Sequence, residues 1–177
     1  MKHSDHVALL KEGVPPGGVW ADLGSGEGAF TLALADLIGA TGRILSIDRD
    51  GSALETQRQA MARRFPLVTT EFIRADFTKP LELPSLDGIV MANSLHFHRD
   101  KVGLVTRLVS QLAERGRFVL VEYDADRGNP WVPYPLSYST WEALSVDAGL
   151  KDTQRIGRVP SRFLGAIYSA LSFRASS

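Results

Sequence analysis

Three glycines at alternate positions, Gly24, Gly26 and Gly28, stand between a short apolar run, Val19–Leu23, and a helical pattern that opens at Ala29. Glycine at such positions lets backbone approach a ligand where any Cβ would clash. The helix start that follows aims free N–H groups outward, a seat for a carboxylate or phosphate. Asp48 closes the next apolar run about 20 residues beyond Gly28, where a unit of this kind carries an acid for ribose hydroxyls. The chemistry these residues suit is the binding of a nucleoside-containing cofactor. A plainer reading stays open, with the glycines making a tight turn and Asp48 capping the turn before Asp50.

Further polar and aromatic residues recur just past apolar runs. Asp76 and Phe77 follow the third, and Asn93, His96 and His98 follow the fourth. Histidine titrates near neutrality, so His96 or His98 can take a proton from a protic acceptor; either can instead bond loop backbone. A metal reading would join His96 and His98 to His3 or His6, but no cysteine and no clustered carboxylate completes a site, so no metal is expected. Glu122 ends the fifth run and can bind or deprotonate an acceptor, or accept from loop N–H groups. Trp131, Tyr134 and Tyr138 belong to a proline-rich stretch after it, able to wall a flat or apolar substrate pocket or to pack as a rigid loop.

The elements that must position these residues alternate between strand and helix. Strands are expected at Gly18–Leu23, Arg43–Asp48, Thr69–Arg74, Leu86–Ala92 and Gly116–Tyr123, all apolar enough to be covered on both faces. Helices are expected at His6–Glu12, Ala29–Ile38, Asp50–Phe65 and Asp100–Ala113. A last helix begins near Ser139, where Ser139 and Glu142 have capping-box spacing, and runs to about Ala148. The tail from Lys151 to Arg174 reads as two strands around Pro160. No linker divides the chain, so residues 1–177 are expected to form a single domain, with 1–17 as a short helical extension.

Composition narrows the classes. Acidic and basic residues balance at 20 each, so net charge gives no reason for nucleic acid or an anionic membrane. Lys151, Arg155, Arg158 and Arg162 cluster late in the chain and read as a solvated edge. There are no cysteines, which excludes disulfides, thiolate metal sites and a cysteine nucleophile. No apolar run is long enough to span a bilayer and no export signal is visible, so a cytoplasmic location is expected.

Taken in order, Asp22-Leu23-Gly24-Ser25-Gly26-Glu27-Gly28, Ile47-Asp48, Ala75-Asp76-Phe77 and Leu86–Asn93 resemble the motifs of a class I S-adenosylmethionine-dependent methyltransferase of small-molecule type. Glu114–Glu122 resembles that family's turn into its fifth strand, and the likeness covers essentially the whole chain. It implies an α/β fold, a three-layer Rossmann-like sandwich with a seven-stranded, mostly parallel sheet whose antiparallel last strand lies between the fifth and sixth.

It also implies roles for individual residues toward S-adenosyl-L-methionine. The helix start at Gly28 suits the methionine carboxylate, and Asp22 the ammonium, directly or through water. Asp48 would accept from the ribose hydroxyls, with Ser25 and Arg49 beside the same cofactor. Asp76 would accept from the adenine amino group, with Phe77 along the ring and Asn93 near the sulfonium. The acceptor is expected to be a small molecule, reached with help from His96, His98 or Glu122. Few residues precede the first strand, which leaves the acceptor side open or closed by the loop around Trp131, a large substrate, or a second subunit in a homodimer.

Two rivals remain. The glycines also match a dinucleotide fingerprint with Ala29 in third place, which would make an NAD(P)-binding oxidoreductase. Asp22 and Asp76 have no evident task in that reading. A regulatory module that binds S-adenosylmethionine without turnover is the other, since a fold does not prove catalysis.

Overall fold

A computed structural model describes residues 1–176. Along the chain it contains α1 (His3–Leu10), β1 (Val19–Leu23), α2 (Ala29–Ile38), β2 (Arg43–Asp48), α3 (Gly51–Arg64), β3 (Thr69–Arg74) and β4 (Leu86–Ala92). A short 3-10 turn (Leu95–Phe97) then leads to α4 (Lys101–Val109), β5 (Leu112–Tyr123), α5 (Tyr138–Asp147), β6 (Leu150–Ser161) and β7 (Gly165–Arg174). The strands form one seven-stranded sheet in the order β3-β2-β1-β4-β5-β7-β6. β1 is parallel to β2 and β4, β2 to β3, and β4 to β5. β7 runs antiparallel to both β5 and β6, which places the reversed strand where the family resemblance puts it.

Alternate residues of each central strand feed two cores. On one face Trp20, Ile44, Val90 and Val121 pack against Leu9 and Leu10 of α1, Leu34 and Ile38 of α2, and Met61 of α3. On the other, Leu23, Ile47, Met91, Phe118 and Leu120 pack against Leu104, Val105 and Leu108 of α4 and Trp141 of α5. Helices on both faces make the sheet the middle of three layers. Burial of one such Leu or Ile contributes about 1.5–3 kcal/mol, so these two cores fix the strand ends that carry the polar residues.

Several boundaries differ from the sequence expectation. The first helix starts at His3 rather than His6, because the Asp5 carboxylate folds back to accept the Lys2 N–H at 2.7 Å. α4 stops at Val109 instead of Ala113: Leu112 already pairs with Leu86, and the chain bulges before Arg117 pairs with Gly88, with Arg115 in the left-handed region. α5 is capped by Ser137, which accepts the Thr140 N–H, not by Ser139. Glu142 is taken by the Tyr138 hydroxyl instead. Pro160 does not separate two strands; it lies near the end of β6, an edge strand, where a missing N–H is tolerated.

Candidate functional site

Strand order reverses between β1 and β4, and open α/β sheets bind ligands outside the carboxyl ends of strands at such a point. There a cleft of about 490 Å³ is lined by Gly24, Gly26 and Glu27 after β1, Asp48, Arg49, Asp50 and Ala53 after β2, Asp76 and Phe77 after β3, and Asn93, Ser94, Phe97 and His98 after β4.

The glycine turn is built by close approach. A Cβ on Gly24 would stand 2.6 Å from the Ser94 Cβ, and one on Gly28 would stand 2.5 Å from the Gln57 Cβ. Gly26 has a φ of +54° and nothing within 4 Å of where its Cβ would be. Here the backbone conformation selects glycine, and the space beside it is open for a ligand. Asp48 locks the turn: its Oδ2 accepts the Gly26 N–H and its Oδ1 the Asp50 N–H, each at 2.8 Å. Each oxygen keeps acceptor capacity, since a carboxylate has about four lone-pair sites.

Asp76 is exposed at the cleft edge. Its Oδ1 accepts both the Thr78 hydroxyl at 2.7 Å and the Thr78 N–H at 2.9 Å, and these bonds hold its carboxyl below the usual range. Phe77 meets the half-buried His98 edge-on at 5.2 Å. Burial lowers the His98 imidazole below its ordinary value, with the Asp76 charge opposing. Asn93 has a left-handed backbone, and its side-chain Oδ1 is sealed from solvent with no hydrogen-bond partner. A buried acceptor left unpaired costs about 1–3 kcal/mol; Trp141 Nε1, the Tyr168 hydroxyl and Ser169 Oγ are likewise sealed and unpaired, and of the four only Asn93 belongs to the cleft lining.

Not every expected residue reaches this wall. Asp22 is 1% exposed beneath the turn, and its Oδ2 accepts the Thr31 hydroxyl at 2.6 Å. Burial pushes its carboxyl up to about 7, eased by the Thr31 bond and reinforced by the Asp48 charge. Ser25 points toward α3, where its hydroxyl meets Ser46 at 2.8 Å and accepts from Gln57 at 2.9 Å.

Beyond the cleft, the 3-10 turn brings His96 onto the end of β5. The Glu122 carboxylate lies 2.9 Å from His96 Nδ1 and also accepts the backbone N–H groups of His96 at 3.1 Å and Tyr123 at 3.2 Å. A carboxylate engaged by donors on every side sets the tautomer: Nδ1 carries the proton and Nε2 the lone pair. The His96 hydrogen bonds all run through Nδ1 and the backbone, and its side chain is 4% exposed. Lys101 braces the turn by donating to the His98 carbonyl at 2.7 Å, and its ammonium sits 5.7 Å from the Tyr134 ring. Burial lowers the Lys101 ammonium, which Glu122 opposes. The Tyr134 N–H donates to the His96 carbonyl at 2.9 Å, strapping the proline-rich loop across the turn.

Trp131 is 70% exposed and meets Phe163 edge-on. Tyr138 does not join Trp131 and Tyr134. As the first residue of α5 it is turned into the sheet face, with its hydroxyl on Glu142 at 3.0 Å and its ring against Tyr168. The four histidines do not gather: His3 pairs with Asp36 and His6 packs on Phe30. Among the described residues no group of three His, Asp or Glu could hold a metal ion, and no helix is long and apolar enough to cross a membrane. In the late basic cluster, Arg155 lies over Tyr138 and Arg158 pairs with Asp124 at 3.4 Å.

Residues 16–156 match a family model described as a methyltransferase domain. The chain belongs to that family. Its class is that of the S-adenosylmethionine-dependent methyltransferases. The chain is 28% identical over 114 residues to the protein named probable cobalt-precorrin-6B C(15)-methyltransferase (decarboxylating) from Thermoplasma volcanium, covering 64% of this chain and 55% of that one. It spans about half the length, or less, of the curated relatives it matches. Among solved structures, the YcgJ protein from Bacillus subtilis superposes with a TM-score of 0.78 at 15% identity, covering 99% of this chain and 100% of that one. Magnesium protoporphyrin IX methyltransferase from Synechocystis PCC 6803, solved with bound S-adenosylmethionine, gives 0.75 at 19% identity, covering 98% and 78%. At these identities the two structures show the fold.

Three residues escaped the sequence reading. Gln57 is fully buried and donates to the Gly26 carbonyl at 2.9 Å. Its spacing with Leu54 and Met61 on the inward face of α3 could have revealed it, since a polar residue there needs a partner. Thr31, on the first turn of α2, faces Asp22 in the same way. Phe163, in the turn between β6 and β7, carries no local signal; only the sheet order brings it to the site.

Proposed function

We propose that this chain transfers the methyl group of S-adenosylmethionine to a small-molecule acceptor, with His96 as general base and Glu122 as the residue that orients it. The observation that carries the cofactor reading is the meeting of the glycine turn, open beside Gly26, with Asp48 and Asp76 in one cleft where the strand order reverses. When bound, the cofactor supplies a methyl group already activated on a sulfonium sulfur.

The residues present fit that group. Asp48 would take the ribose hydroxyls with Arg49 alongside, Asp76 the adenine amino group, Phe77 the ring face, and Asn93 a donor close to the sulfonium. Gly24, Gly26 and Gly28 with the start of α2 would seat the methionine carboxylate. Asp22 acts from below the turn, through water rather than by contact. His98, half-buried on Phe77, closes the cleft side rather than taking a proton. Because the methyl donor is already activated, the protein's task is alignment, exclusion of water, and removal of a proton where the acceptor holds one. His96 Nε2 can take that proton, and Glu122 stabilises the imidazolium that results. We read residues 1–177 as one such domain, with 1–17 as an extension and Trp131 and Tyr134 on the acceptor side.

Calorimetric titration with S-adenosylhomocysteine and with NADH tests this. Micromolar binding of the first and none of the second is expected; binding of NADH alone would overturn the reading. Release of S-adenosylhomocysteine only when an acceptor is present separates the enzyme from a binding module without turnover.

A further inference from the structure

Four aromatic side chains from separate segments run outward around His96 at the carboxyl end of the sheet. The Phe97 ring is 4.3 Å from that of His96, and the Tyr123 ring, at the end of β5, is 5.7 Å from it. Phe163 lies 6.4 Å from Tyr123, and Trp131 stands edge-on to Phe163 at 6.3 Å. Phe97, Trp131 and Phe163 are 57%, 70% and 53% exposed. Large apolar rings grouped in solvent mark a binding surface. Phe97 also lines the cofactor cleft, so this surface continues directly from it.

Resting on the reading of His96 as a base, we propose that this surface is the acceptor site and that the acceptor is a planar hydroxyaromatic molecule methylated on oxygen. Aromatic faces and edges arranged this way recognise flat π systems through offset and edge-on contacts. Two of these rings, Phe97 and Tyr123, stand against the His96 ring itself, and a base serves only an acceptor that arrives protonated. A phenolic hydroxyl, with an ordinary pKa of about 10, lies within reach of an imidazole held by a carboxylate, whereas an aliphatic alcohol is far weaker as an acid.

The acceptor O–H bond breaks and its proton passes to His96 Nε2. The oxygen lone pair forms the new O–CH₃ bond while the methyl–sulfur bond breaks, and that electron pair stays on sulfur. The imidazolium, held by Glu122, gives its proton to water once product leaves.

The test is binding, measured apart from turnover. Chain saturated with S-adenosylhomocysteine is titrated with 2-naphthol by calorimetry, and with 2-decalol, its saturated and non-planar counterpart. We expect 2-naphthol to bind and 2-decalol to bind much more weakly. Trp131→Ala and Phe163→Ala should each weaken 2-naphthol binding about fivefold, the factor one aromatic contact provides. Trp131→Phe should stay close to the original, and S-adenosylhomocysteine affinity should be unchanged in all three. Normal S-adenosylhomocysteine binding with no 2-naphthol binding at millimolar concentration sinks the acceptor assignment alone. So does equal binding of the two alcohols, or a Phe163→Ala chain that binds 2-naphthol normally. A concentration-dependent dimer in sedimentation that Trp131→Ala abolishes would assign the surface to a second copy instead. Failure of S-adenosylhomocysteine itself to bind overturns the parent reading, and this one with it.

Discussion

Gln57 reaches from α3 to the Gly26 carbonyl at 2.9 Å, so a helix on one face of the sheet holds the middle of the glycine turn. The same side chain accepts from the Ser46 hydroxyl at 2.8 Å and donates to that of Ser25 at 2.9 Å. Gln57→Leu keeps the volume and removes all three bonds, stranding buried polar atoms at about 1–3 kcal/mol. We expect a lower unfolding temperature and roughly tenfold weaker S-adenosylhomocysteine binding by calorimetry. A variant that loses stability but binds normally would show that Gln57 serves packing alone.

Asp22 gives the pH dependence a sign. Burial holds its folded-state carboxyl up at about 7, while in the unfolded chain it titrates near 4. The folded state therefore keeps a proton that the unfolded state releases, and this site's contribution to stability falls as pH rises from about 4 to about 7, then levels off. At about 1.4 kcal/mol per unit the ceiling is about 4 kcal/mol. Asp22→Asn retains an acceptor for Thr31 and removes the titration. Urea unfolding should show the Asn variant gaining on the original chain between pH 4.5 and pH 8. A stability difference constant across that range contradicts the assignment.

The convergence of Asp48, Asp76 and Asn93 on one cleft is legible in the sequence because each follows an apolar run. In a parallel sheet every such strand ends on the same edge, so Asp48, Asp76 and Asn93 had to converge once the strands were placed. Asp22 differs from these: it lies inside β1, one residue before the strand's end, and its side chain turns under the glycine turn toward α2, a depth that its spacing from Gly24 does not reveal. The pairing of His96 with Glu122 joins residues from different strands, and no local spacing encodes it. Tyr138 was grouped with Trp131 and Tyr134 because they are near in sequence; the helix that starts at Tyr138 carries its ring away. Phe163 depends on β7 inserting between β5 and β6, which brings the β6–β7 turn alongside Tyr123.

Asn93 separates backbone strain from ligand recognition. Its φ of 52° is left-handed, a region Asn tolerates and most other residues enter at about 1–2 kcal/mol. Both Asn93→Gly and Asn93→Ala remove the unpaired acceptor, and only Ala meets the left-handed penalty, so the Gly variant should be more stable than the Ala variant by about 1–2 kcal/mol. Both remove the unpaired Oδ1, so both should weaken S-adenosylhomocysteine binding, by roughly tenfold for a lost buried hydrogen bond. The measurement is calorimetry paired with thermal unfolding. Undiminished binding by the Gly variant would mean that Oδ1 faces no ligand donor.

His96 and Glu122 should behave as one unit. His96→Ala removes the base and should lower turnover of a hydroxylated acceptor about 10²–10⁴-fold, with S-adenosylhomocysteine affinity within twofold. Glu122→Gln keeps the shape but can present an amide N–H to Nδ1, favouring the tautomer whose proton sits on Nε2, and should fall by a comparable factor. Because both act through the same proton, the double variant should be little slower than either single one, whereas independent roles would multiply. Full additivity of the two losses would leave Glu122 a structural anchor of the turn, and unchanged turnover in His96→Ala would put His96 outside the chemistry.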